Sequence, residues 1–244
     1  VDSYATIKEA VENLGENKMI LFNSNYTLDE DFTIPTGVYF EVDAGATLTI
    51  AQGKTLTVAA DAKRLNIRAN AQVVNNGTIL VCGAPGTSHG YVMIPSDGEL
   101  TGNALSVPEG KILSKNANSY YAGEALFEIT YTDGSTKLTS ETTDVNSSTV
   151  QVKLLKDVTV GGWTLSQAAD GFVLDLGGHT LNGTTASSYY VLYAGVSMTI
   201  RNGTIKYNGT ADKGAICAYG GETLTIESDV TIDGGSGVGI MMQN

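Results

Sequence analysis

The chain reads as an all-β protein: a right-handed parallel β-helix (solenoid) with an N-terminal capping helix and a β-hairpin-containing insertion. Three observations predict this. First, a β pattern recurs as Val152-x-Leu154, Leu174-x-Leu176, Met198-x-Ile200 and Leu224-x-Ile226, at offsets of 22, 24 and 26 residues. Such offsets suit a repeat in which each unit is one supersecondary piece, with the drift in length taken up by polar turns. Second, each unit carries about three short runs that alternate apolar and polar, the period-2 signal of strands with one buried face. YVLYAG (190–195) matches ICAYGG (216–221), and GIMMQN (239–244) begins another such run. Third, 29 glycines, 4 prolines and only 16% charged residues fit many short strands joined by turns, and they fit neither helical bundles nor disorder.

Taken in order, residues 3–14 are the helix candidate. Ile7, Val11 and Leu14 form one apolar stripe. Thr6 with Glu9 makes a capping box, Ser3 being an alternative cap, and Gly15 is a stop signal. A lone helix before a run of strands is expected to cover the open end of the coil. Residues 1–83 are read as this cap plus the first coils. Phe32/Ile34 to Leu48/Ile50 spans 16 residues and Leu48/Ile50 to Leu65/Ile67 spans 17, which predicts tighter turns than those after 150. Residues 84–148 break the pattern and read as an insertion or small β subdomain. GAPGTSHG is loop-like, and ALFEITYTDGSTKLT reads as a hairpin turning at Asp133-Gly134. Residues 149–244 carry the C-terminal coils.

Composition sets limits on partners. A net charge of −12 argues against nucleic acid, which requires a basic footprint, and against anionic lipid. No apolar run approaches the roughly 20 residues of a membrane span, so no membrane insertion is expected. The chain starts at Val1 and stops at Asn244 within a repeat, and is expected to be a mature or excised piece of a longer protein. Cys82 and Cys217 each lie in an apolar strand. Buried free thiols are expected, a bridge or reactive site being the alternative.

Several stretches resemble a known family. ATIKEAVENLG…MILFNSNYTLDEDFTIPTGVYF is similar to the entry segment of parallel β-helix proteins of the pectate-lyase-like superfamily. VKLLKDVTV with VLDLGGHTLNG resembles a strand-and-turn pattern of secreted and cell-surface β-helix proteins of gut bacteria, with Gly178 where Asn is usual. The resemblance covers roughly 1–83 and 149–244 and implies the fold. It does not choose between lyases or hydrolases of acidic polysaccharide and non-catalytic surface modules, both of which the family contains.

The residues themselves offer little chemistry in register. The resemblance implies that an enzyme would show clustered carboxylates for calcium with a neighbouring Arg or Lys base, or an Asp-Asp pair with Gly-His-Gly. On the repeat offsets, Asp175 aligns with Thr199 and Asp233 falls near Lys206, so no acidic column forms, and Arg201 has no carboxylate beside it. Glu41 and Asp43 both point outward, about 7 Å apart, near glycosidase spacing, on what reads as a solvated strand face. His179 reads as a surface turn residue, and His89 has no evident partner. Asn76-Gly77-Thr78 and Asn202-Gly203-Thr204 read as turn chemistry. The Thr-Leu-Thr triplets at 47–49 and 55–57 are 8 residues apart and belong to different sides of the coil.

Aromatic residues give the one binding signal. Tyr193 and Tyr219 are expected to align one coil apart. In one register they face outward as a stacked pair suited to sugar rings; in the other they are core beside Cys217. Trp163 is a third candidate ligand-binding side chain. No catalytic residue, cofactor or metal is assigned. The expected role is a non-catalytic extracellular or cell-surface module, structural or adhesive, with weak binding to glycans or to host or cell-wall polysaccharide. A polysaccharide lyase or glycoside hydrolase is the alternative.

Overall fold

A computed structural model describes residues 4–16, 18–185, 189–210 and 213–243. Ser3, the alternative helix cap, lies outside these. The chain divides into two compact units, Val1–Glu124 and Ala125–Asn244, and each is a parallel β-solenoid with its own apolar core.

In the first unit the helix spans Ile7–Glu12. Thr6 caps it: its hydroxyl accepts the Glu9 N–H, while the Glu9 carboxylate accepts the Thr6 N–H. Ile7 is buried, and Ala10, Val11 and Leu14 pack on the core. Three parallel ladders follow. One stacks Met19–Phe22, Tyr39–Val42, Arg64–Ile67 and Tyr91–Met93. The second stacks Tyr26–Leu28, Thr47–Ile50, Gln72–Asn75 and Glu99–Gly102. The third stacks Phe32–Thr33, Thr55–Val58 and Thr78–Val81, with Ser106 bridging to Leu80. Their inward residues, among them Ile20, Phe40, Leu65, Val92, Leu48, Val73, Leu56 and Ile79, form the core.

The short turns expected here are not found. Successive partners in the first ladder lie 20, 25 and 27 residues apart. Leu48 stacks on Val73, whereas Leu65 stacks on Phe40 in another ladder. Spacings of 16 and 17 therefore join different sides of the coil. Within 84–148, Tyr91–Met93 and Glu99–Gly102 carry two ladders onward. A hairpin of Lys111–Asn116 and Ser119–Glu124 then pairs antiparallel onto Tyr91–Met93.

The second unit opens with Phe127–Tyr131 and Thr136–Thr139, antiparallel about Asp133-Gly134. Gly134 takes φ +80°, and Asp133 accepts the Ser135 N–H. Phe127–Tyr131 pairs antiparallel with Thr149–Leu154, which starts the parallel ladder of Phe172–Asp175, Met198–Arg201 and Leu224–Ile226. A second ladder holds Val158–Val160, Thr180–Gly183, Gly203–Lys206 and Val230–Asp233. A third holds Trp163–Leu165, Leu192–Ala194, Gly214–Tyr219 and Val238–Gln243.

Val152, Leu174, Leu176, Met198, Ile200, Leu224 and Ile226 all face the core, but Leu174, Met198 and Leu224, which the repeat offsets of 24 and 26 would place in one column, do not stack on one another. Leu174 stacks on Val152 below and Ile200 above, and Ile200 on Ile226. Phe172, Met198 and Leu224 form the neighbouring column. A slip of two residues keeps every side chain on its own face. Side-chain oxygens tie successive turns together at the corners. Asn25 and Asp31 accept the N–H of Thr47 and Thr55, while Asp157 and Asp229 accept those of Thr180 and Asn202. Asn202 stands at φ +62°, which its short polar side chain tolerates.

Candidate binding surfaces

The tyrosine signal resolves to the outward register. Leu192, Ala194, Ile216 and Ala218 are at most 1% exposed, so Tyr193 and Tyr219 face out. They do not align in the ladder: Tyr193 pairs with Cys217. The corner from Ala218 to Leu224 is two residues longer than that from Ala194 to Met198, which misled the sequence alignment. The rings nevertheless meet diagonally, with centroids 6.5 Å apart and planes at 22°. Tyr190 packs edge-on to Tyr193 at 5.7 Å, and the Tyr193 hydroxyl accepts the Tyr190 N–H. Lys213 stands over the Tyr190 ring. Tyr219 is 40% exposed.

Trp163 is not on this surface. It is 3% exposed, its ring faces Phe127 at 5.1 Å, and it belongs to the core. A ring enclosed in this way has no face to offer a sugar. Both cysteines are free thiols, Cys217 buried and Cys82 half-buried. Burial pushes both thiols above the ordinary range.

Two acidic residues behave differently from expectation. Glu41 faces outward yet is 3% exposed. The next turn supplies the reason: Arg64 and Arg68 reach its two carboxylate oxygens at 3.1 and 2.7 Å, and Arg68 also binds Asp43 at 2.9 Å. Burial raises the Glu41 pKa, but the hydrogen bonds and charge of Arg68 and Arg64 outweigh it and hold the group below the usual value. A general acid needs the opposite shift. The solvated-face reading therefore fails for Glu41, because two cations supplied by the next turn seal the strand face.

Asp175 is the second case. Its ladder partner is Arg201, not Thr199. Arg201 binds one oxygen through Nε and Nη2, both at 3.0 Å, while Gly177 N–H and Asn202 Nδ2 donate to the other. Burial raises its pKa, but these donors together lower it. The Lys206–Asp233 alignment stands, with the charges 3.7 Å apart.

The histidines sit in polar contacts. His179 lies 3.7 Å from Asp157. His89 lies between Lys63, 2.7 Å from Nε2, and Ser88, 3.0 Å from Nδ1. A lysine ammonium donating to Nε2 leaves Nδ1 as the donor toward Ser88. That polarity is the reverse of what a base acting on the serine needs.

Sequence reasoning missed the neighbours of Glu41. Tyr39, Arg64 and Tyr91 form one outward column. Arg64 stacks over the Tyr39 ring at 5.5 Å and donates to the Tyr91 hydroxyl at 3.3 Å. Tyr121 continues the column, with its ring 5.1 Å from that of Tyr91. The signal was available: YFEV, RLNI and YVM each place a large polar or aromatic residue just before an inward apolar one. Comparisons with protein-family models, with curated proteins and with solved structures give no match.

Proposed function

We propose that the protein is a non-catalytic extracellular or cell-surface module with a structural or adhesive role and weak glycan binding. The observation that carries this reading is the outward tyrosine pair of the second unit. Tyr193 and Tyr219 offer adjacent ring faces on a rigid ladder, and aromatic faces stack on sugar rings with little entropy lost on ordering. The carboxylates that do cluster are engaged by arginines, which suits a scaffold. The coil is read as right-handed, because crossovers between parallel strands take that hand in about 98% of cases. The helix Ile7–Glu12 is read as an end cap, since its apolar residues rest on the core.

A glycan array with the wild type and a Tyr193→Ala/Tyr219→Ala variant tests the reading. Binding lost in the variant supports it. No binding by the wild type removes the glycan role. Incubation with pectin-type polysaccharide, with and without calcium, tests the catalytic part: unsaturated ends or new reducing sugar would replace this reading with that of a lyase or hydrolase.

A further inference from the structure

In the second unit the last strand of each ladder, Leu224–Ile226, Val230–Asp233 and Val238–Gln243, is paired on one side only among the described residues. The apolar residues of these strands face inward yet stay open. Ile240 and Met242 are 40% and 56% exposed, although Ile216 and Ala218, on which they stack, are at most 1% exposed. Leu224, Ile226 and Ile232 are half-buried, whereas Met198, Ile200 and Ile205 beneath them are enclosed. Register is therefore not the cause: among the described residues no strand lies above them. Three free strand edges and one apolar surface meet in a single turn, 222–243.

Elsewhere the chain covers or guards such edges. The helix Ile7–Glu12 rests on the core of the first unit. Hairpins pair antiparallel onto Tyr91–Met93 and onto Thr149–Leu154, and their outer strands carry Lys111 and Lys115 in one case and Lys137 in the other. Lysine or proline on an edge strand opposes further pairing. Residues 222–243 contain neither, nor any arginine. Their charges are Glu222, Glu227, Asp229 and Asp233, all acidic and all at corners or strand ends. The turn beneath is matched to them. Residues 198–221 carry Arg201, Lys206 and Lys213 against the single acid Asp212. Lys206 lies 3.7 Å from Asp233, and the Asn202 N–H donates to Asp229 at 3.0 Å.

We infer that this turn is a docking site for a partner β-segment with alternating apolar residues in its strands and basic residues at its corners. Addition of a strand satisfies the free N–H and C=O groups of the edge and covers the inward side chains, as in other cases of β-augmentation. Charge selects the occupant. A second copy meeting this end sets its own four acids against these four, and like charges brought together oppose association. A basic partner reverses the sign. The molecule holds its own template for such a partner: Met198–Arg201 and Gly203–Lys206 already stack on the other side of Leu224–Ile226 and Val230–Asp233. The inference does not rest on glycan binding at the tyrosine pair.

The test is isothermal titration of the whole chain with the synthetic peptide VSMTIRNGTIKYN, the sequence of residues 196–208. Binding is expected with a Kd of about 1 mM or tighter, and it should weaken as salt rises from about 50 mM to about 500 mM. Two altered peptides should fail to bind: one carrying Arg201→Glu and Lys206→Glu, the other Ile200→Asn and Ile205→Asn. Glu227→Lys in the protein, at an exposed corner, should weaken binding of the original peptide by about fivefold or more. Hydrogen exchange of the complex should show new protection within 224–233. The Tyr193→Ala/Tyr219→Ala variant should bind the peptide as the wild type does, so failure here and failure of the tyrosine reading are distinguishable. The inference is overturned if the peptide does not bind, if either altered peptide binds equally well, or if Glu227→Lys leaves binding unchanged. Protection confined to Lys111–Asn116 would also overturn it. So would sedimentation of the chain alone as a dimer at neutral pH that Met242→Lys dissociates, because this end would then belong to a second copy.

Discussion

Both units set an arginine against a carboxylate on the outward side of their longest ladder, yet the two clusters are built differently. In the second unit Asp175 ends its strand. It binds its direct ladder partner Arg201, accepts the Gly177 N–H of its own turn, and accepts Asn202 Nδ2 from the corner of the next turn. Both oxygens are served, and Arg201 also reaches Gln151 at 3.4 Å. In the first unit Glu41 lies within its strand. Two arginines four residues apart enclose it, and the same surface holds an unpaired donor and an unpaired acceptor. The Asp175 cluster has the form of a corner tie. The Glu41 cluster has more polar surface enclosed than its hydrogen bonds satisfy. Position along the strand decides this: a strand end can recruit turn N–H groups, whereas mid-strand amides are already committed to the ladder.

Both clusters stand on strands anchored by inward apolar residues, and the largest expected effect tests that base. Ile200→Asp, in the strand carrying Arg201, should cost more than about 4 kcal/mol, a large share of a total near 5–15 kcal/mol. A soluble variant with a wild-type circular dichroism melt would show that Ile200 is not interior.

Next in size is Glu41→Ala, which strands two arginines beside an enclosed surface. It should cost about 3 kcal/mol in urea unfolding. Asp175→Ala should cost less, about 1.5 kcal/mol, because Arg201 is 38% exposed and the turn donors reach water. Equal losses, or a larger one at Asp175, would erase the distinction between a sealed cluster and a corner tie.

The pH dependence should be smaller and carry the same sign at both sites. Each carboxylate is held below its usual value in the folded state. Their contributions are therefore complete above the unfolded values, 4.5 for Glu41 and 3.8 for Asp175, and are lost as pH falls through the folded ones. Melting temperatures from pH 6 to 3 should fall less steeply in Glu41→Gln than in the wild type, the curves parting below about 4.5. Asp175→Asn should part from wild type only at lower pH. Curves parallel to wild type throughout would mean that neither carboxylate is linked to folding.

The tyrosines mark how far the sequence could be read. Alternation around Leu192 and Ile216 was visible, as was the presence of two tyrosines in matched runs. Which face they took, and that Cys217 rather than Tyr219 lies in line with Tyr193, was not. Glu41 is a similar case. Its outward direction followed from Phe40 and Val42 on either side, but its burial depended on Arg64 and Arg68, more than twenty residues away.

By itself, the sequence determined that this chain forms short strands with one apolar face, turned at Gly, Asn and Asp, and repeated often enough to coil in parallel. Those properties are local: side-chain alternation and turn chemistry act within a few residues. The tertiary structure alone decided which rung lies on which. A shift of two residues leaves every apolar side chain inside, so hydrophobic patterning is blind to it. Register was settled by corner lengths and by the backbone hydrogen bonds between turns. Those set Leu174 on Ile200 rather than Met198, brought Arg201 onto Asp175, and enclosed Glu41 and Asn66 on a face that the pattern alone leaves open to water.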